Sequence, residues 1–293
     1  MKRYFMTTLV LCVAVLLSAC GGGGGGINQI ETGAPATIRS AIEGIAATAD
    51  SLLVSDAVGI LRDRPVPGGD PSPGPRAFRS TPVCRTTTSC SLSAFGVAVP
   101  VAVSTFRSLS TSLRFTEAGS RQGVPLAEGR SRTNQQGVTT SALVLGGWLD
   151  HNFFAAHREE VTGGSTDAEF SFSYSIGDAT GTTPSGNATW TGGMTGLDVS
   201  ATANNGNRIH GDATITFDVA TTDLDVAFTN VRDLDAGGVH PNMQWANVPV
   251  EVGRFGAGSR GNSIQGQFYG PNHEEVGGTF ERNQLVGAFG AKR

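Results

Sequence analysis

Apolar and polar residues alternate along most of the second half of the chain. Ile215, Phe217 and Val219 alternate with Thr214, Thr216 and Asp218, and Leu224, Val226 and Phe228 alternate with Asp225, Ala227 and Thr229. A period of two puts every apolar side chain on one face of a strand, so these runs predict a hairpin closed by Ala220-Thr221-Thr222-Asp223. Val248, Val250 and Val252 predict another strand. Ile264, Gly266 and Phe268 then alternate with Gln265, Gln267 and Tyr269, turn through Gly270-Pro271-Asn272-His273, and return as Val276, Gly278 and Phe280. A last strand follows Glu281-Arg282-Asn283-Gln284 and runs to Lys292. Residues 186–293 accommodate eight strands of about 13 residues each, turns included, which suits a small antiparallel barrel.

Earlier in the chain the pattern is less regular. Phe170, Phe172, Tyr174 and Ile176 alternate with Ser171, Ser173 and Ser175, which predicts a half-buried strand. Val97, Val99, Val101 and Val103 alternate around Pro100, which predicts an edge strand. Ile38, Ile42, Ile45, Ala49 and Leu52 recur at helical spacing behind Pro35, so a short helix is expected there. A Pro/Gly-rich stretch, RPVPGGDPSPGPR, then reads as a linker.

Composition supports the β reading. Gly supplies 41 and Pro 13 of the 293 residues, and charged residues only 16%, which argues against a helical bundle. The net charge of −4 argues against a nucleic-acid partner. Lys occurs only at positions 2 and 292, so positive charge rests on Arg. Arg107, Arg114, Arg121, Arg130 and Arg132 form a locally basic stretch. Its bland reading is a solvated loop, and its sharper one is a surface for an acidic partner.

The N-terminus sets an expected location. Lys2 and Arg3 precede the apolar run Leu9–Leu17. Nine helical residues rise about 14 Å, too little to cross a membrane core of about 30 Å, so the run reads as a signal peptide. It ends in Leu17-Ser18-Ala19-Cys20, which resembles a bacterial lipobox with Cys20 as the acylated residue. Gly21–Gly26 follow as a tether, and Gly rather than Asp at position 21 resembles the outer-membrane sorting pattern. Of the remaining cysteines, Cys12 leaves with the signal, and Cys84 and Cys90 form the expected disulfide of an oxidising compartment. So short a loop yields only about 2 kcal/mol of entropic stabilisation.

No constellation for chemistry emerges. His151 and His157 are six apart, too far for direct chelation on a strand or a helix. Asp233-Leu234-Asp235 lacks the remaining ligands of a calcium loop and reads as a turn. There is no GxSxG, HExxH or phosphate loop, so no catalytic residue, metal ligand or cofactor is assigned. Tyr269 and His273 have the chemistry to ligate haem iron, although such residues more often serve structure.

Residues 264–280, IQGQFYGPNHEEVGGTF, and 286–293, VGAFGAKR, resemble the closing strands of the lipid-anchored barrels of the transferrin-binding protein B family. Residues 146–151, GGWLDH, are similar to the region preceding such barrels. The resemblance implies an all-β protein: a C-terminal eight-stranded antiparallel soluble β-barrel behind a β-rich handle. It implies a membrane anchor through the N-terminal lipid, outer-membrane location with surface display, and binding without catalysis. The expected organisation is signal peptide 1–19, lipidated Cys20 and tether 20–34, helix and linker 35–82, handle 83–185 and barrel 186–293. The expected role is capture of a host or environmental nutrient carrier, or of haem. The alternative is a structural envelope lipoprotein without a soluble ligand. An enzyme is the least supported reading.

Overall fold

In the computed structural model the described residues are 53–64, 76–80, 83–84, 91–94, 97–100, 115–163 and 167–293. All regular elements among them are strands. The expected helix positions 38–52 and Cys20 lie outside the described residues, as does Cys90. Cys84 ends a short strand, β3 (Val83–Cys84), that pairs with β1 (Leu53–Arg64).

The handle is one twisted antiparallel sheet. Its strands are β1, β2 (Arg76–Ser80), β6 (Phe115–Arg121), β7 (Val124–Gln135), β8 (Val138–Trp148), β9 (Asn152–Thr162) and β10 (Asp167–Asp178). They lie in the order β2-β1-β10-β9-β8-β7-β6, with β3 beside β1. A separate hairpin joins β4 (Ser91–Ala94) to β5 (Val97–Pro100), which Pro100 ends as an edge strand should. The sheet therefore reaches back to Leu53, into the stretch expected to be helix and linker. Each β1 residue pairs with one of β10, from Leu53↔Asp178 to Arg64↔Asp167. That continuous pairing outweighs the weak local pattern of LVSDAVGILRDR.

The barrel closes from β11 (Ala188–Asp198) through β12 (Arg208–Asp218), β13 (Asp223–Asp233), β14 (Met243–Glu251), β15 (Arg254–Ser259), β16 (Asn262–Tyr269), β17 (Glu275–Arg282) and β18 (Leu285–Lys292). The predicted hairpin forms in the expected register, with Ile215↔Val226 and Phe217↔Leu224. The closing strands pair as Ile264↔Phe280 and Phe268↔Val276. Inward apolar residues from all eight strands make one core. Phe228 sits at its centre, with ring centroids 4.8 Å from Phe280, 5.3 Å from Phe289 and 5.6 Å from Trp245. A Cβ at Gly278 would come within 2.7 Å of the Gly266 backbone, so a glycine is required where these strands crowd.

Two strands depart from expectation. β10 is buried on both faces: Phe172 and Tyr174 are fully covered on one, while Ser171, Ser173 and Ser175 are covered on the other. The serine face lies on the barrel side, where Ser175 hydrogen-bonds Tyr269 at 3.0 Å. Small side chains let the handle sheet approach the barrel wall closely, and Ser175 still meets one of its polar groups. Val252, predicted as the third inward residue of its strand, instead occupies a two-residue turn with Gly253, at φ 49° and 73°. Positive φ at both central positions matches the right-handed twist of a tight hairpin.

Apolar contacts and polar bridges join handle to barrel. Val124, Leu126, Leu149 and Phe154 of the handle pack with Ala288, and Ala156 packs with Leu197, Val199 and Val286. At the rim Asn205 donates to Glu169 at 2.9 Å, and Arg208 joins Glu128 to Asp235.

Candidate binding surface at the capped end of the barrel

One end of the barrel carries the turns 219–222, 252–253 and 270–274. The chain entering from the handle crosses this end as residues 179–187 and is tied to each turn. Thr180 N–H donates to Phe268 O at 3.1 Å, and Gly253 N–H donates to Thr183 Oγ1 at 3.2 Å. Val219 N–H donates to Asn187 Oδ1 at 2.9 Å. These bonds convert separate hairpin tips into one surface. Small polar residues suit this path, because a crossing strap must satisfy its backbone without a ladder.

Tyr269 and His273, the candidate haem ligands, have protein partners here. Tyr269 is fully buried, and its hydroxyl meets Ser175 Oγ at 3.0 Å and accepts from Gln267 Nε2 at 3.2 Å. His273 Nε2 lies 3.0 Å from Thr182 Oγ1 and 2.9 Å from Thr182 O, with its ring edge-on to Phe268. Tyr269 fastens the handle to the barrel, while His273 fastens the strap. The arrangement gives both residues structural work.

Beside His273 lies a polar hollow of about 390 Å³, lined by Pro184, Asn187, Pro271, Asn272, His273 and Arg293. Under its rim, Trp190 donates its indole N–H to His273 O at 2.8 Å, and the Arg293 guanidinium lies 5.0 Å above the ring. Val219 and Val252 project from neighbouring tips, 43% and 71% exposed. A β-branched residue at positive φ is disfavoured, so Val252 marks a position where an exposed apolar tip is kept against backbone preference. Alternation hid Val252 in a strand.

The joint between handle and barrel is polar at the same end. Glu275, 3% exposed, accepts from the Asp150 N–H at 2.7 Å and from the His151 N–H. Burial pushes its carboxyl up to about 8, against those two amides. The folded chain therefore holds this proton to a higher pH than the unfolded chain. Its stabilising contribution is complete below the ordinary pKa of 4.5 and is lost as pH rises through about 8. Thermal melts are expected to show Tm falling between about pH 4.5 and pH 8 and levelling above that, and Glu275→Gln to flatten that fall; an equal fall in the variant would refute the assignment.

Two residues of the basic stretch serve the handle and its seam with the barrel. Arg121 meets His210 Nε2 at 2.5 Å, and Arg130 pairs with Glu128 at 2.5 Å. Arg107 and Arg114 lie outside the described residues. Asp233 makes the expected turn, accepting from the N–H groups of Asp235 and Ala236. Among the described residues no cluster of three or more His, Cys, Asp or Glu side chains has metal-binding geometry.

A family profile described as the C-lobe and N-lobe beta barrels of Tf-binding protein B matches residues 151–293. The C-terminal barrel is transferrin-binding protein B-like. The match takes in handle strands β9 and β10, so the transferrin-binding protein B resemblance extends upstream of the barrel itself. Similar solved structures include a transferrin-binding protein B mutant from Haemophilus parasuis, at 18% identity over 62% of this chain and 39% of that one, TM-score 0.33. An intact Ap-TbpB with N and C lobes is 17% identical over 80% and 46%, TM-score 0.37. The N-lobe of lactoferrin-binding protein B from Moraxella bovis is 14% identical over 58% and 80%, TM-score 0.30. The chain thus spans less than half the length of the two transferrin-binding proteins. No curated protein matches the sequence.

Proposed function

We propose that this chain is a non-catalytic capture protein of the outer-membrane surface, held by lipid on Cys20, that binds an iron-carrying host protein. The observation that carries the reading is the transferrin-binding protein B barrel profile over residues 151–293. The relatives named for binding transferrin or lactoferrin set the class of partner to test first. A Cys84–Cys90 disulfide fits the same oxidising location. Haem is the weaker ligand, because Tyr269 and His273 are already engaged by Ser175, Gln267 and Thr182.

The tied tips supply a rigid contact surface with two apolar points and a polar hollow, the mixed character of a protein-binding patch. Transferrin and lactoferrin are to be titrated against wild type and against Val219→Asp and Val252→Asp. Loss of at least about tenfold in affinity, about 1.4 kcal/mol, is expected for each variant with little change in Tm. Undiminished binding by both variants would move the contact away from this end. Labelling of free thiols in the mature chain is expected to leave Cys84 and Cys90 unmodified.

A further inference from the structure

The barrel wall is closed unevenly. β13 and β14 pair from both ends of their contact, and β15 and β16 pair along all of β15. Between β14 and β15 only two rungs form, Val250↔Phe255 and Glu251↔Arg254, next to the Val252-Gly253 turn. The next rung would set Pro249 opposite Gly256. Proline has no N–H to offer a ladder, and no rung forms beyond it.

Sequence devices interrupt the ladder here. The register of β14 against β13 slips between Val226↔Trp245 and Leu224↔Val248, and Asn247 adopts φ 53° within that slip. Such a bulge bends its strand and ends regular pairing. Gly258 adopts φ 84° on the facing strand. Gln244, Ala246, Asn247, Pro249, Gly256, Gly258 and Ser259 are all exposed. Across the lower end, Arg282 donates to Gln244 O and lies 4.9 Å over the Trp245 ring, closing the gap from below. The result is a window in the wall, about 16 Å tall for five residues, framed by two main-chain edges.

A second feature points to an occupant. Trp245 is 7% exposed, and its indole N–H has no hydrogen-bond partner. A buried, unsatisfied donor is costly to keep, and an acceptor entering beside it recovers that cost. Facing strand edges without a ladder between them call for the alternating N–H and C=O groups of an extended chain. A rigid small molecule does not supply that repeat.

We propose that the β14–β15 window is a strand-addition site that takes an extended peptide segment of a partner protein. The segment pairs with the main chain of Gly256–Ser259 or Met243–Asn247, and one of its carbonyl or carboxylate oxygens accepts from Trp245. This inference rests on the reading of the chain as a protein-capture module, and names a second contact for it away from the capped end.

The test is a reversible lock. Pro249→Cys together with Gly256→Cys places two thiols across the first missing rung, and an added Cβ at Gly256 meets nothing closer than 3.5 Å. A phage-displayed library of random dodecapeptides is panned on the full mature chain, and selected peptides are titrated against oxidised and reduced lock variant, with wild type under the same redox treatment. The expected result is at least about a tenfold loss of affinity in the oxidised variant, restored by reduction. Hydrogen exchange in the free wild type is expected to be at least about a hundredfold faster at window amides of 243–247 and 256–259 than within β17. Selection of no peptide, equal affinity for oxidised and reduced variant, or uniformly slow exchange would each overturn the window. Carrier protein bound equally with the lock closed would leave capture standing and overturn the window alone. Peptides that need the open window while no carrier binds would overturn carrier capture alone.

Discussion

Phe228→Ala is expected to destabilise the chain by about 3–5 kcal/mol, the usual range for emptying a buried phenylalanine site. The residue is fully buried, and its ring contacts Trp245, Phe280 and Phe289 from three other strands. Those neighbours cannot collapse into the space without shortening barrel pairings on β14, β17 and β18. For a folded unit of this size the cost corresponds to a fall in Tm of about 8–15 °C. Calorimetry checks it, and a fall of less than about 3 °C would show that the core is not organised around this ring.

Gly290→Val is expected to act on the joint and spare the core. A Cβ there would lie 2.5 Å from the Phe154 ring and 2.8 Å from Asn152 Oδ1, both on the handle. Phe154 and Asn152 are fully buried, so neither has solvent to move into. Such overpacking costs about 1–3 kcal/mol and pries the two sheets apart. The connecting residues 179–187 should then be cut by protease at least about tenfold faster than in wild type, while near-ultraviolet dichroism from the barrel aromatics persists. Unchanged cleavage would mean that the handle does not depend on this contact.

The barrel was legible in the chain because its wall has one apolar side. At Ile215–Phe228 and Ile264–Phe280, a one-residue slip would turn every core side chain outward, so pattern and register agree. The handle was less legible because β10 is covered on both faces, and its serines read as solvent-facing when they meet the barrel. Val252 misled for a related reason. Its chemistry favours a strand, yet it occupies a tight turn with positive φ, where local preference yields to the tip's exposed role. The joint at Glu275 and the window at Pro249 depend on which distant strand arrives, information that no local pattern carries. Tyr269 and His273 were singled out for their chemistry. Their surroundings give them partners within the fold, and the apolar tips and polar hollow nearby are the better contact surface.

The central proposal is that this chain, with its transferrin-binding protein B-like barrel backed by a handle, captures a protein. The most direct measurement is a binding titration of the full mature chain against the two candidate carriers, each iron-loaded and iron-free, with hemin as a separate titrant. The account predicts saturable binding of at least one carrier form and no stoichiometric hemin shift. A correctly folded chain that retains neither carrier, or that binds hemin stoichiometrically through Tyr269 or His273, would contradict it.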